Sequence, residues 1–169
     1  MIQVKLYPYD RRAVVAYAHK WAYGRNPAFY DYEKLGGDCT NFASQCVYAG
    51  SKIMNFTPTY GWYYIDANNK APAWTGVPYF YNFMTRKEEN VGPVAVNSSI
   101  ELIRPGDVIQ LSFREQEWNH SPVVVRVISP TPSGIFLAAH SYDADNRPLS
   151  SYQYSDIRFL HFIGVRKPE

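Results

Sequence analysis

Cys39 is the residue whose surroundings best suit chemistry. It follows Gly36-Gly37-Asp38 and opens a helical pattern that runs to about Gly50. A thiol at a helix N-terminus faces unpaired backbone N–H groups and the positive end of the helix dipole, which favour a thiolate. The same groups can receive an oxyanion on an attacked carbonyl. The competing account is a small buried residue at the start of a core helix. The second cysteine, Cys46, lies mid-helix and reads as packing. Seven residues of helix separate the two by roughly 10 Å at about 1.5 Å per residue. A disulfide needs under about 7 Å, so both are expected as free thiols.

A nucleophilic thiol needs a base. His120 opens the apolar run Ser121-Pro122-Val123-Val124-Val125. At the mouth of a buried strand it is placed to meet a helix terminus docked on the sheet, giving the Cys–His pair of nucleophilic acyl chemistry. A third group would orient the imidazole. Pairing across the turn at Pro130–Gly134 sets either His140 or, with a longer turn, Asp143 opposite His120. His140 ends a smooth apolar strand and is preferred, with Asp143 and Asn146 as alternative orienters or supporting groups. One residue of register decides which face each occupies. His19 and His161 lack comparable context and read as structural.

These residues need elements to hold them. Asp10 caps a helix whose Ala13, Val14, Tyr17, Ala18 and Trp21 recur at helical spacing, closed by Gly24 and Pro27. The helix opened by Cys39 carries an inward stripe of Cys39, Ala43, Cys46 and Val47, with Gly50 as its cap. Residues 51–75 read as a long aromatic loop, a common setting for binding surfaces. Tyr60, Trp62, Tyr63, Tyr64 and Trp74 there are expected to wall a groove, or else to form a packed aromatic loop. Thr75 caps a third helix over 78–89. Strands are expected at 107–112, 121–128, 134–140 and 159–166, rich in Val, Ile and Phe. Helices followed by an antiparallel meander make an α+β domain, one domain over residues 1–169.

The chain of 169 residues is 46% hydrophobic and 19% charged, a globular composition. A net charge of +2 without a basic stripe argues against nucleic acid or an anionic membrane as partner. Its Cys and His residues lack zinc-ligand spacing, and neither a metal nor a cofactor is expected. The start, Met1-Ile2-Gln3-Val4-Lys5-Leu6, lacks the apolar core of a leader. That leaves open a cytoplasmic protein, one exported without a cleaved leader, or a secreted chain already trimmed. The oligomeric state is not legible.

The segment Gly37-Asp38-Cys39-Thr40-Asn41-Phe42-Ala43-Ser44-Gln45-Cys46-Val47-Tyr48-Ala49-Gly50 resembles the nucleophile segment of the putative amidase domain family, which groups with NlpC-type and CHAP peptidoglycan hydrolases. The resemblance continues through Trp74-Thr75-Gly76-Val77, Ile103-Arg104-Pro105-Gly106-Asp107-Val108-Ile109-Gln110, His120-Ser121-Pro122-Val123-Val124-Val125 and Ala139-His140-Ser141-Tyr142-Asp143. It implies a papain-like fold and puts Cys39, His120 and His140 in the places of nucleophile, base and third polar residue. Asp38 and either Tyr30 or Tyr32 fall on the oxyanion or substrate side. The implied reaction is amide hydrolysis, on cell-wall peptide or a related γ-glutamyl or N-acyl amide. Acyl transfer to an amine, as in a transpeptidase, and a non-catalytic cell-wall binding module are the alternatives.

Overall fold

A computed structural model describes residues 2–169. Five strands form its backbone: β4 (Gly92–Ser98), β5 (Val108–Ser112), β6 (Val123–Val127), β7 (Ile135–Ala139) and β8 (Ala144–Pro148). The last four run as an antiparallel meander. The long β9 (Asp156–Pro168) carries β4 along one edge; its other edge holds β5 and then β1 (Val4–Tyr7). β1, β4 and β8 were not expected. Each is poorly signalled: β4 contains Pro93, and β8 (Ala-Asp-Asn-Arg-Pro) is nearly all polar.

The sheet buries both faces. Val108, Val123, Ala138 and Leu160 face the helices, whereas Ile109, Leu111, Val124 and Leu137 face a second apolar cluster with Leu149 and Tyr152. Helix α1 (Arg11–Trp21) starts as expected, with the Asp10 carboxylate accepting from the Ala13 N–H at 3.1 Å. Helix α2 (Cys39–Ser51) is buried over nearly all its length. Its buried polar residues are paired: Asn41 Oδ1 accepts from Trp74 Nε1 (2.9 Å), Ser44 Oγ from Trp62 Nε1 (3.0 Å), and Gln45 Oε1 from the Tyr17 hydroxyl (2.5 Å).

Gly50 does not cap α2; Lys52 does, in the left-handed region with φ 58°. Gly50 is small because α1 crosses there: an added Cβ would lie 2.4 Å from Val14 Cγ2. The segment 51–75 is likewise not irregular, since it holds a small hairpin, β2 (Tyr64–Asp66) with β3 (Asn69–Lys70), and the short α3 (Pro72–Thr75). The next helix is α4 (Val77–Met84), capped by Gly76 rather than Thr75, and it ends sooner than expected. Asp107 pins this frame together. Fully buried, it accepts from Arg11 (2.9 Å), His161 Nδ1 (2.8 Å) and the backbone N–H groups of Arg104 and Phe162 (both 2.9 Å).

Candidate functional site around Cys39

Gly36 and Gly37 enter α2 through the left-handed region, at φ 94° and 106°, which only glycine adopts without strain. A Cβ on Gly37 would also press Ser141 Oγ at 3.2 Å. Ser141 Oγ accepts from the Asp38 N–H (3.0 Å), so the strand end and the helix start are stitched together at this turn. Cys39 follows as the first residue of α2, 7% exposed. Its S–H points to the Asn119 carbonyl at 3.8 Å, and Thr40 Oγ1 lies 3.7 Å from the sulfur. Burial pushes this thiol above its ordinary range, while the Thr40 hydroxyl and the N–H groups of Ser121 and Thr40 pull the other way. Cys39 and Cys46 are both free thiols, as expected, and both are buried.

Asp38 is the hub of the site. Its Oδ1 accepts from the Tyr32 N–H and from Asn41 Nδ2, both at 2.8 Å. Its Oδ2 meets His140 Nδ1 at 2.5 Å. His140 Nε2 lies 2.8 Å from the Trp21 carbonyl, an acceptor only, so that nitrogen carries a proton. The His140 ring stacks on Phe42 at 4.1 Å. Both ring nitrogens are thus engaged, and His140 anchors the turn before the nucleophile. Outside this core, Arg25 pairs with Asp143 through two bonds of 2.9 and 3.1 Å and with Asp31 at 3.2 Å.

The expected triad is not brought together. Val123 pairs with Ala138 and Val124 with Leu137, a register that sets Ser121, not His120, level with His140. His120 pairs with Leu111 and shares its face of the sheet. Its ring lies between those of Phe113 (6.0 Å) and Tyr152 (5.7 Å), on the side away from α2. Among the described residues it makes no side-chain hydrogen bond. Burial, and then the Arg147 guanidinium, push its pKa down to about 4, so the imidazole is neutral. The physical reason is register parity: one residue of offset turns a side chain to the opposite face. His140 accordingly does not orient His120, and neither does Asp143, which faces Arg25. Asn146 is exposed in the left-handed region (φ 54°), in β8.

The other assignments divide similarly. Tyr32 donates its hydroxyl to the Ala67 carbonyl (2.9 Å), and Tyr30 holds Asn41 Nδ2 with its carbonyl (2.8 Å). Both tyrosines therefore build the loop before Cys39. Trp62 and Trp74 are fully buried against α2, so they are core and not a groove wall. Tyr63 is half-buried beside Phe56, and Tyr60 is exposed. His19 pairs with Asp145 at 2.8 Å, as a structural histidine would. No group of three or more His, Cys, Asp or Glu able to hold a metal occurs among the described residues. No helix among the described residues is long and apolar enough to cross a membrane.

Residues not anticipated are those behind the sulfur. Thr40, Ser121 and Gln110 are buried polar groups on the helix-facing side. Gln110 was the available signal, a lone amide inside Val108-Ile109-Gln110-Leu111.

Comparison with known proteins adds the family. The putative amidase domain profile matches residues 8–163, nearly the whole chain, and the chain belongs to that family. It is 30% identical over 160 residues to the uncharacterized protein YhbB of Bacillus subtilis (strain 168). That alignment covers 94% of this chain and 45% of the relative, so the chain spans about half the relative's length. No solved structure matches.

Proposed function

We propose that this member of the putative amidase domain family is a cysteine-dependent amide hydrolase of papain-like arrangement, with Cys39 as its nucleophile. The observation that carries this reading is the set of donors around the sulfur, from the first turn of α2 and from the strand mouth beside it. The Thr40 hydroxyl and the N–H groups of Thr40 and Ser121 face the sulfur. Such donors hold a thiolate and then the oxyanion of the tetrahedral intermediate.

In the state described, the sulfur is a thiol donating to Asn119, and its proton must leave before attack. We assign that proton to His120, which is neutral; burial in the second core lowers its proton affinity, so it accepts only once the ring has left that pocket. The ring reaches the helix side if the backbone turns at Asn119 and His120 alone, with Ser121 kept in place by Gln110 and Thr40. The mouth is built for this: the N–H groups of Asn119 and His120 both bond the Leu111 carbonyl (2.9 and 3.2 Å), a bulge of two residues against one. Pro122, lacking an N–H, removes the next ladder bond. The thiolate attacks the amide carbon, His120 hands its proton to the departing amine, and water then cleaves the thioester to acid and thiol.

Peptidoglycan peptides and γ-glutamyl and N-acyl amides, named by the resemblance, are the substrates to assay first. Cys39→Ala is expected to remove hydrolysis by about 10³-fold or more, and His120→Ala by about 10²- to 10⁴-fold. An acyl adduct on Cys39 should be recoverable by acid quench. Hydrolysis undiminished in Cys39→Ala defeats the reading.

A further inference from the structure

A line of polar side chains, buried at Thr40, Ser121 and Gln110 and half-buried at Arg158, leads away from Cys39 through the helix-facing side of the sheet. Arg158 on β9 donates to Gln110 Oε1 with Nε (2.9 Å) and Nη2 (2.6 Å). Its guanidinium is flanked by the rings of Tyr81 (3.7 Å) and Trp118 (4.1 Å). Gln110 Nε2 donates to the Val77 carbonyl (2.8 Å) and to Ser121 Oγ (3.1 Å). Ser121 Oγ lies 3.2 Å from Thr40 Oγ1, which lies 3.7 Å from the sulfur.

Donor and acceptor chemistry gives this line one direction. A guanidinium only donates, so the Gln110 oxygen faces it and the amide nitrogen faces Ser121. Ser121 Oγ therefore accepts from Gln110, and the acceptor within reach of its own proton is Thr40 Oγ1. Thr40 Oγ1 then has its own proton free for the sulfur, whose S–H is directed at Asn119. Each bond polarises the next in a low-dielectric interior.

We propose that Thr40, Ser121, Gln110 and Arg158 form a directed hydrogen-bond chain that stabilises the Cys39 thiolate, with Arg158 as its remote positive end. The inference rests on Cys39 being the nucleophile and names the residues that tune it. All four are positioning residues, acting on the sulfur through Thr40. The other charged groups around the thiol are Asp38 in its own turn, backed by His140 from the end of β7 and by Arg25 after α1. His120, on the strand mouth beside Ser121, turns its ring to the other face. Asp38 opposes the thiolate, while the Thr40 hydroxyl at the end of the chain favours it together with the N–H groups of Ser121 and Thr40.

The test is the pH profile of Cys39 alkylation by iodoacetamide, read by mass spectrometry on the folded full chain, with Cys46 labelling as the report of unfolding. Thr40→Val is expected to move the profile to higher pH and to slow labelling at pH 8 by about 10- to 100-fold, the effect of one lost hydrogen bond to a charged group. Thr40→Ser, which keeps the hydroxyl, should follow the unaltered protein. Arg158→Met should shift the profile the same way by less, and should add nothing in the Thr40→Val background. Full additivity of those two substitutions, or an unmoved profile in Thr40→Val, overturns the chain. Should Thr40→Val expose Cys46, Ser121→Ala is read in its place with the same expectation. Failure of the nucleophile assignment looks different: hydrolysis persists in Cys39→Ala while the alkylation profiles still shift.

Discussion

His120 and His140 sit at facing ends of neighbouring strands, both almost wholly buried, yet their surroundings are opposite. His140 faces the helices with both ring nitrogens engaged, one on Asp38 and one on the Trp21 carbonyl. His120 faces the second core, its side chain without a hydrogen bond among the described residues. One ring is fixed at a helix start by polar partners; the other is held by packing alone. An imidazole so heavily engaged is a structural post, whereas the other has its ring nitrogens uncommitted among the described residues and its proton affinity lowered by burial.

The largest effect expected from breaking this contrast is on His140. Replacing it with alanine leaves Asp38 buried and short of a partner, at a cost of about 3–5 kcal/mol. The midpoint of thermal unfolding should fall on the order of 10 °C. A loss under about 1 kcal/mol in denaturant titration would reduce the anchor to a bystander.

The next effect belongs to His120 and appears with pH. Its native value is about 4 against 6.5 when unfolded, so between those values the unfolded chain binds the extra proton and the native chain does not. Stability is thus full above about pH 7 and declines as pH falls toward 4, by about 3 kcal/mol from this residue. His120→Phe should flatten that part of the stability profile while costing less than about 1.5 kcal/mol at pH 7. An unchanged acid limb in that variant would mean that some other group titrates. Smallest is the partly exposed pair of Arg25 with Asp143. Asp143→Asn should change stability by less than about 1 kcal/mol, and a larger loss would place Asp143 inside the anchored core.

Much of this arrangement was legible in the residues. Asp10 before an apolar 3.6-residue pattern marked α1, and Gly-Gly-Asp-Cys before another marked the nucleophile turn. What stayed hidden was parity. The bulge at Asn119 and His120 and the pairing of Val123 with Ala138 together decide which face of the sheet each histidine takes, and neither leaves a mark in composition. Trp62 and Trp74 were ambiguous because an aromatic loop looks alike whether its indoles line a groove or donate inward to Ser44 and Asn41. Gly50 misled because a helix cap and a close helix crossing both call for glycine. The edge strands escaped because strands that give little to the core carry little apolar pattern.

The most direct test of the central claim is amide hydrolysis measured before and after stoichiometric alkylation of Cys39, with Cys46 confirmed unmodified. We predict that hydrolysis disappears in proportion to the Cys39 modified. Hydrolysis that survives complete modification would contradict the assignment of Cys39 as nucleophile.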